Sequence, residues 1–494
     1  MTAGAARGPA GTGSGPAEVV LPPVFGFIHP RPRWRELWLL AVVAVTLTVG
    51  AMSLGATLVA RSSQRGTAVP EGAFAPYGAA LLVVYLGALG IAHLAQVLAG
   101  RRTDQVLLPA VGLLGGMSLL LMERLPQNLA GSFGGLAQTQ LVWLIIAIAI
   151  TTTLAIVVRS DSWLRLYKYT WAAAGVGLLL LTFVLGSEVN GARLTLDLGP
   201  ISGQPSELLK VILVVFLAGY LSENRPLLVE QSTRLGPIRL PPLPYLAPMG
   251  AMWAIALAIV VIQRDLGAAL LFFAVFLSLL YVATARWSYV LLGLVLFVAG
   301  SALTYRLFGH VQQRVDVWLD PFADPLGSGY QIVHALYAFA RGGILGTGLG
   351  NGLPAVGGGQ PGGIPEIHTD FPLAALGEEL GLIGILAILG LYLVVIERGL
   401  RIAASAADDF RAILAAGLSL VVGVQAFIIA AGNLKLIPLT GITLPFISYG
   451  GSSLLANSVV VGLLLALSDR GVEPPPPPTP RRRRLARLFD RGAA

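Results

Sequence analysis

The 494-residue sequence contains no cysteine, and only 12% of its residues are charged. The lack of cysteine excludes disulfides, thiolate metal sites and cysteine nucleophiles. The shortage of charge excludes an ordinary soluble domain, in which about a quarter of the residues are charged. What is abundant is apolar, since 55% of the residues are hydrophobic and the mean hydropathy is +0.77. This composition is typical of a protein that crosses a membrane many times.

Apolar stretches of about 20 residues recur along the chain, and each is long enough to cross a bilayer as a helix. The sequence predicts twelve such helices, at 36–60, 77–98, 105–122, 139–158, 168–186, 207–222, 245–263, 266–284, 287–307, 372–397, 410–432 and 453–468. We therefore expect an all-α polytopic membrane protein with about twelve transmembrane helices and one large extracellular loop at 308–371.

The basic residues indicate which side of the membrane each loop faces. An even number of spans places both chain ends on one side, together with the loops that hold most of the cations: Arg101, Arg102, Arg159, Arg165, Lys168, Arg225, Arg234, Arg239, Arg286, Arg398, Arg401 and Arg411. Cytoplasmic loops of membrane proteins carry an excess of Lys and Arg. We therefore expect both termini in the cytoplasm, and we attribute the net charge of +8 to topology rather than to nucleic-acid binding.

These boundaries predict four parts of the chain. Residues 1–35 are rich in Gly, Ala and Pro and lack the apolar core of a signal peptide, so they are expected to form a disordered cytoplasmic tail. Residues 36–104 hold two N-terminal transmembrane helices, and residues 105–470 form the main body. Residues 471–494 are a Pro/Arg-rich cytoplasmic tail.

The loop at 308–371 is the candidate site, because a long acidic segment between membrane spans is seldom only a connection. Asp320 and Asp324 each precede proline or a proline-containing turn, which favours bent backbone. Asp324 is followed by Gly327 and Gly329, which let the backbone approach a ligand closely. An acid without a Ser-His-Asp set or metal-ligand spacing favours general-base chemistry. We expect partial burial to raise the pKa of Asp324 towards neutrality.

A second polar group lies at the start of a membrane helix. Ser206 is a natural N-cap, and Glu207 lies in the first turn, where the helix dipole favours an anion. Lys210 follows on the same face of the helix. Two interpretations stay open: a helix-start ion pair, or a site in which Lys210 and Arg193 hold an anionic headgroup by charge-assisted bonds. Arg264 and Asp265 lie in a short turn further on, where a local salt bridge that caps the following helix is favoured over a contact with substrate.

Two further segments depart from the pattern of a plain membrane helix. Glu378 and Glu379 interrupt an apolar helix and are costly there unless they are paired. Residues 433–458 contain too many turn formers for a continuous span and predict a loop that re-enters the protein. Irregular backbone at this depth survives only when it is buried in protein or lines a cavity. The sequence therefore predicts a polar cavity beside the large loop.

Seven motifs follow one another along the chain: QPSELLK at 204–210, DLGAAL at 265–270, DPFADPLGSGYQ at 320–331, GTGLGNG at 346–352, HTDF at 368–371, GEELGLIG at 377–384 and LTGITLPFISYGGSSL at 439–454. In this order they resemble the SEDS family, the RodA/FtsW group of bacterial cell-wall polymerases, with RodA-type members the more similar. The resemblance covers roughly residues 105–470. It implies a ten-helix core, to which the two N-terminal helices are additional.

The resemblance also implies the activity: a peptidoglycan glycosyltransferase of the bacterial cytoplasmic membrane that polymerises lipid II, with Asp324 as the catalytic residue. We expect the substrate to contact Lys210, Glu207, Arg193, Gly327, Gly329, Tyr330, His368, Asp370 and Ser452. The implied partners are lipid II, the undecaprenyl-diphosphate-linked glycan and a class B penicillin-binding protein, with no nucleic acid. No protein metal site is expected, although assistance by a divalent cation, Mg²⁺ or Mn²⁺, stays open.

Two other functions compete with this one. A flippase or transporter for a lipid-linked precursor should show paired repeats and polar groups near the middle of the membrane. A non-enzymatic scaffold would not need an acid set in glycine-rich backbone. The ionisable residues crowd one face, which favours chemistry at the membrane surface.

Overall fold

The computed structural model is a bundle of helices, and it describes residues 30–64, 77–127, 129, 134–189, 192–197, 202–230, 233–235, 238–240, 265–352 and 363–469. In this part of the chain the helices are α1 (Trp34–Gln64), α2 (Tyr77–Leu98), α3 (Leu107–Arg124), α4 (Leu136–Val157), α5 (Ser162–Leu166), α6 (Lys168–Leu185), α7 (Pro205–Glu230), α8 (Leu266–Thr284), α9 (Trp287–Leu307), α10 (Gly309–Leu319), α11 (Tyr330–Gly342), α12 (Pro372–Ala404), α13 (Asp409–Asn433) and α14 (Gly451–Leu467). Short antiparallel strands occupy two connections: β1 (Ser187–Val189), β2 (Ala192–Asp197), β3 (Ser202–Gly203), β4 (Thr233–Leu235) and β5 (Ile238–Leu240).

Ten of the described helices are long and apolar enough to cross a membrane, and α14 is apolar over 17 residues. Together they account for every expected span except 245–263, which lies outside the described residues, as do 1–29 and 470–494. The polytopic helical fold is therefore confirmed, with strands confined to loops, whereas the count of twelve spans stays a prediction.

The two ends of the described chain meet at one end of the bundle, here called the terminal face. Helix α1 begins at Trp34, so Arg33 belongs to the helix start and not to a tail that ends at residue 35. The buried Arg33 guanidinium donates to the carbonyl and hydroxyl oxygens of Thr103, at 3.2 and 2.8 Å. Nearby, Arg101 Nη1 pairs with Asp469 Oδ2 at 2.6 Å. These bonds fasten the two additional helices to the core and gather basic residues at one end, as the charge pattern predicts.

The opposite end, formed by residues 309–352 and 363–371, is here called the loop face. The two acids of α12 that needed partners find them beside this face. Arg341 Nε donates to Glu378 Oε1 at 2.9 Å, and Arg124 pairs with Glu379. Both carboxylates are buried, and these ion pairs offset part of the cost of placing them in an apolar helix.

The GTGLGNG segment docks against a break in α12. The break is at Gly381, whose φ of +66° and ψ of −167° are not helical. Beside it, the amide of Thr347 donates to the Glu378 carbonyl at 3.0 Å, and the amide of Gly348 donates to the Glu379 carbonyl at 2.9 Å. This part of the large loop is therefore folded onto the bundle, because it satisfies carbonyls that the broken helix leaves unpaired.

We expect Gly381→Ala to destabilise the loop face. A Cβ at this position would lie 2.3 Å from the amide nitrogen of Gly346 and 2.5 Å from the carbonyl oxygen of Ile344, and the positive φ disfavours any side chain. Gly390 of the same helix is the matched control, since a Cβ there meets nothing within 4 Å. Thermal unfolding in detergent should show a loss of about 1–3 kcal/mol for Gly381→Ala and none for Gly390→Ala. Equal melting temperatures for the two variants would contradict the docking.

Candidate functional site

Residues 434–450 connect α13 to α14 without helix or strand, and residues 442–448 of this segment are largely buried. Ser118 Oγ in α3 donates to the Ile447 carbonyl at 2.6 Å. Ser448 Oγ donates to the Thr369 carbonyl, also at 2.6 Å. As predicted, this segment is not a continuous span, and side chains from neighbouring elements satisfy its irregular backbone.

Lys210 lies at the centre of a buried hydrogen-bond network beside this segment, with 1% of its surface exposed. Its Nζ donates to Glu207 Oε2 at 2.5 Å, to Gln425 Oε1 at 2.7 Å and to Asn457 Oδ1 at 3.2 Å. Thr443 Oγ1 donates to Glu207 Oε1 at 3.2 Å. The network therefore joins α7, α13, α14 and the irregular segment in one polar core.

This geometry favours the ion-pair interpretation of Lys210. An ammonium group has three protons, and the three acceptors around Nζ use all of them. The expectation that Lys210 is an outer-face cation available to a headgroup is wrong for this conformation, because the side chain is enclosed and Glu207 neutralises it. Arg193, its proposed companion, lies in β2, and its side chain is outside what the structure describes.

The start of α7 is tied to α8 and α14. Asp265 caps α8, accepting from the Ala268 amide at 2.9 Å, as predicted. Its second oxygen accepts from Ser206 Oγ at 3.3 Å, so Ser206 is not the N-cap of α7, which begins one residue before it. Ser452 Oγ accepts from the Gln204 amide at 2.9 Å. In this structure Ser452 is thus bonded to the protein backbone, and its predicted contact with substrate stays a prediction.

Asp324 occupies an exposed turn on the loop face. Its Oδ2 accepts from the amide and the hydroxyl of Ser328, at 2.8 and 3.1 Å, and its Oδ1 accepts from the Gly327 amide at 3.1 Å. These hydrogen bonds, chiefly those from Ser328, lower the pKa of Asp324 below its ordinary value. The expectation that burial raises this pKa is wrong here, because the side chain is exposed and its charged form is hydrogen-bonded.

The glycines around Asp324 serve the turn itself. A Cβ on Gly327 would lie 2.3 Å from Asp324 Oδ2, and one on Gly329 would lie 2.0 Å from the Pro321 carbonyl oxygen. Their close approach is therefore to the protein's own groups in this conformation, rather than to a ligand as the sequence suggested. Tyr330 follows as the first residue of α11, and its hydroxyl donates to the Gly363 carbonyl at 3.2 Å. Gly327, Gly329 and Tyr330 thus fix the path of the loop around Asp324.

Asp370, just before α12, has a raised pKa. Burial, reinforced by the nearby Glu366, raises the pKa of Asp370 to about 6. His368 is also buried, and burial lowers its pKa. The Nδ1 of His368 has no hydrogen-bond partner within the described residues. The HTDF motif thus supplies an acid whose pKa lies closer to neutrality than that of Asp324.

Two cavities meet on the loop face. A polar cavity of about 210 Å³ is lined by Gln313, Arg314, Val317, Ser328, Gln331, Ile332, Asp370, Leu439 and Gly441. An apolar cavity of about 760 Å³ lies between α8, α9, α10 and residues 437–440, and Phe273, Phe297 and Arg314 are among its lining residues. Arg314 and Leu439 line both cavities. Ser328, which bonds Asp324, lines the polar one, so the predicted polar cavity is present beside the large loop.

Sequence reasoning missed four residues of this region. Arg314 lies in the 308–371 loop but outside the seven motifs, so no pattern in the sequence distinguishes it. Gln425, Thr443 and Asn457 lie in separate segments, and only the fold brings them to Lys210. Their signal in the sequence is polarity inside apolar spans, which indicates a buried partner but does not name it. In the described part of the chain, no group of three or more His, Asp or Glu side chains is arranged to hold a metal ion.

We expect Asp370 to make stability depend on pH. Its pKa is about 6 in the fold against an ordinary 3.8, so the folded protein binds more protons than the unfolded chain between these values. The free energy of unfolding should therefore fall as the pH rises from about 4 to about 6. Melting curves of Asp370→Asn should lose this part of the pH dependence, and those of the exposed Asp316→Asn should keep it. An unchanged profile for Asp370→Asn would contradict the assignment.

Comparison with known proteins gives a consistent result. Residues 105–471 match the FtsW/RodA/SpoVE family model, which is described as a cell cycle protein. The chain is 42% identical over 451 residues to the peptidoglycan glycosyltransferase RodA of Mycobacterium tuberculosis, covering 90% of this chain and 92% of that protein. It is 43% identical over 297 residues to the probable peptidoglycan glycosyltransferase FtsW of Nitrosococcus halophilus, and this match covers 59% of this chain and 72% of that protein. The longer match, which favours RodA, extends into the additional N-terminal region.

The fold resembles solved structures as well. A chain from a peptidoglycan synthase complex, studied for its coordination of polymerization and crosslinking, superimposes with a TM-score of 0.58. It is 25% identical, and the match covers 74% of this chain and 98% of that one.

Proposed function

The chain belongs to the FtsW/RodA/SpoVE family, the SEDS family, and is a peptidoglycan glycosyltransferase; we propose that it joins lipid II units into glycan strands at the loop face. In this proposal both termini are cytoplasmic, so the loop face lies outside the cytoplasmic membrane. The basic residues at the terminal face, Arg33 and Arg101 among them, support this orientation.

The observation that carries the proposal is the pair of adjoining cavities. Lipid II combines a long apolar chain with a diphosphate and sugars. A substrate of this chemistry needs an apolar space for its chain and a polar space for its head, side by side at the membrane surface. The 760 Å³ cavity has apolar walls from three helices, and the 210 Å³ cavity beside it holds Asp370, Gln313 and Gln331.

The joining step needs a base beside the polar cavity, and two acids are candidates for it. An acceptor hydroxyl loses a proton as its oxygen bonds to the sugar carbon, and the lipid diphosphate leaves with the bonding electrons. Asp324, bonded to Ser328 at the cavity wall, is our candidate for the base that takes the proton. Asp370, which lines the same cavity and has the pKa closer to neutrality, is the second candidate.

Two further elements of the proposal concern partners. A class B penicillin-binding protein would cross-link the strands, and a divalent cation would accompany the diphosphate. Mg²⁺ in phosphate-transfer sites is commonly held by one or two carboxylates together with the substrate. Asp370 is the carboxylate in the polar cavity that could contribute to such a site.

The direct test supplies purified protein in detergent with fluorescent lipid II and separates the products on a gel. We expect polymer from the wild-type chain alone. The same preparation in liposomes, with labelled lipid II and an impermeant quencher outside, tests the flippase alternative. Polymer formation without transbilayer movement supports the proposal. Movement without polymer would replace it by the transporter, and neither activity would favour the scaffold.

A further inference from the structure

The proposed reaction expels a diphosphate, and the cation predicted to meet it is engaged elsewhere. Lys210 is buried against Glu207, with all of its protons donated to protein oxygens. A leaving diphosphate needs a charged donor that can reach it. That donor would have to come from another cation beside the two cavities.

Arg314 is the one cationic residue among the described residues that line the polar cavity, and the same holds for the apolar cavity. It projects from α10, is half-buried, and has no carboxylate within ion-pairing distance among the described residues. Its Nη1 donates to the carbonyls of Thr440 and Leu439, at 3.0 and 3.4 Å. These two bonds hold the guanidinium at the boundary between the cavities and leave its remaining N–H groups available.

From this placement we propose that Arg314 binds the diphosphate of a polyprenyl-linked substrate, whose chain occupies the apolar cavity. The identity of the sugar part of the substrate rests on the proposed function, whereas the binding of a lipid diphosphate does not depend on it. An apolar tail lying against the stacked rings of Phe273 and Phe297 would place its first polar group at the end of that cavity where Arg314 lies. On the polar side, the sugar would then lie towards Ser328 and Asp370.

An arginine suits this position better than a lysine would. Its planar fork presents several donors, so it can bond two backbone carbonyls and a phosphate oxygen at once. The carboxylates nearest to it in electrostatic effect are Asp265 and Asp370, and neither is bonded to it. An incoming anion stabilises a half-buried cation that has no bonded counter-ion more than it stabilises a cation that is already paired.

The test measures binding of farnesyl diphosphate, farnesol and inorganic pyrophosphate to the full-length chain in detergent. We expect Arg314→Gln to weaken farnesyl diphosphate binding about 10–100-fold while farnesol binds as in the wild type. The affinity of Arg314→Lys for farnesyl diphosphate should lie between those of the wild type and Arg314→Gln, because lysine keeps the charge but lacks the planar guanidinium. Arg306→Gln is the matched control: Arg306 is exposed at the end of α9 and lines neither cavity. It should bind all three probes as the wild type does.

Four outcomes would decide against the proposal. Equal affinity of wild type and Arg314→Gln for farnesyl diphosphate would overturn it, and so would a parallel loss of farnesol binding, which would make Arg314 structural. Pyrophosphate binding as tight as that of farnesyl diphosphate would mean a free-phosphate site. Displacement of farnesyl diphosphate by phosphatidylglycerol at matched concentration would mean an ordinary anionic-lipid site. If the wild type makes no polymer from lipid II but binds farnesyl diphosphate through Arg314, the glycosyltransferase function fails and the diphosphate site stands.

Discussion

Asp324→Asn should abolish polymerisation of lipid II, lowering the rate by about 10²–10⁴-fold, the usual contribution of a general base. Asparagine keeps one of the two oxygens, which can still accept from the amide and hydroxyl of Ser328, so most of the turn should survive while the bond from Gly327 and the proton acceptor are lost. Asp320→Asn is the matched control. Asp320 caps the adjacent turn through the Phe322 amide, at 3.1 Å, and that cap is also preserved by asparagine.

Three outcomes of the gel assay separate the candidates for the base. Loss in Asp324→Asn with activity retained in Asp320→Asn supports Asp324. The reverse pattern would move the catalytic role to Asp320. Full activity in Asp324→Asn together with inactivity in Asp370→Asn would assign the base to Asp370. The hydrogen bonds from Ser328 lower the pKa of Asp324. Ser328→Ala removes the bond from the hydroxyl, so we expect it to raise this pKa and to shift the pH profile of turnover upwards.

Removing one partner of the Lys210–Glu207 pair should have the largest effect on stability. Lys210→Met leaves the Glu207 carboxylate buried without its cation, and a broken buried pair costs about 3–5 kcal/mol. If Lys210 held an anionic headgroup, as one of the two sequence-based interpretations has it, neutralising it would weaken turnover and leave the fold intact. The enclosed network changes that expectation, because Lys210 also anchors Gln425 and Asn457 from two other helices.

Thermal unfolding in detergent measures this effect, with Arg401→Met as the control. Arg401 pairs with Glu397 on the surface, with 71% of the Arg401 side chain exposed, and such pairs contribute only about 0–1 kcal/mol. The double variant Glu207→Gln/Lys210→Met should unfold at a higher temperature than either single variant, because no charge is left unpaired. A folded double variant that makes no polymer would restore a direct role for Lys210 in binding substrate. Wild-type melting of Lys210→Met would contradict the structural role.

Much of the fold was determined by the sequence by itself. Apolar runs near 20 residues specify membrane helices because the bilayer core accepts backbone only when it is hydrogen-bonded within the segment. The same rule identified 433–458 as an irregular, enclosed segment, and it showed that Glu378 and Glu379 needed partners. The motif order pointed to the family, which the match over residues 105–471 confirms.

Only the tertiary structure decided which polar groups meet. Lys210 and Asn457 are separated by 247 residues, and no local pattern predicts that they share a hydrogen bond. The exposure of Asp324 and the half-buried position of Asp370 are likewise set by how α10, α11 and the start of α12 pack. A pKa depends on the solvent, hydrogen bonds and charges around a group. The hydrogen bonds to Asp324 come from its own turn, but only the fold decides how much solvent reaches each acid. The same holds for Arg314. The sequence shows that a cation is present at this position, but only the fold places it between the two cavities, where it can bind an anion.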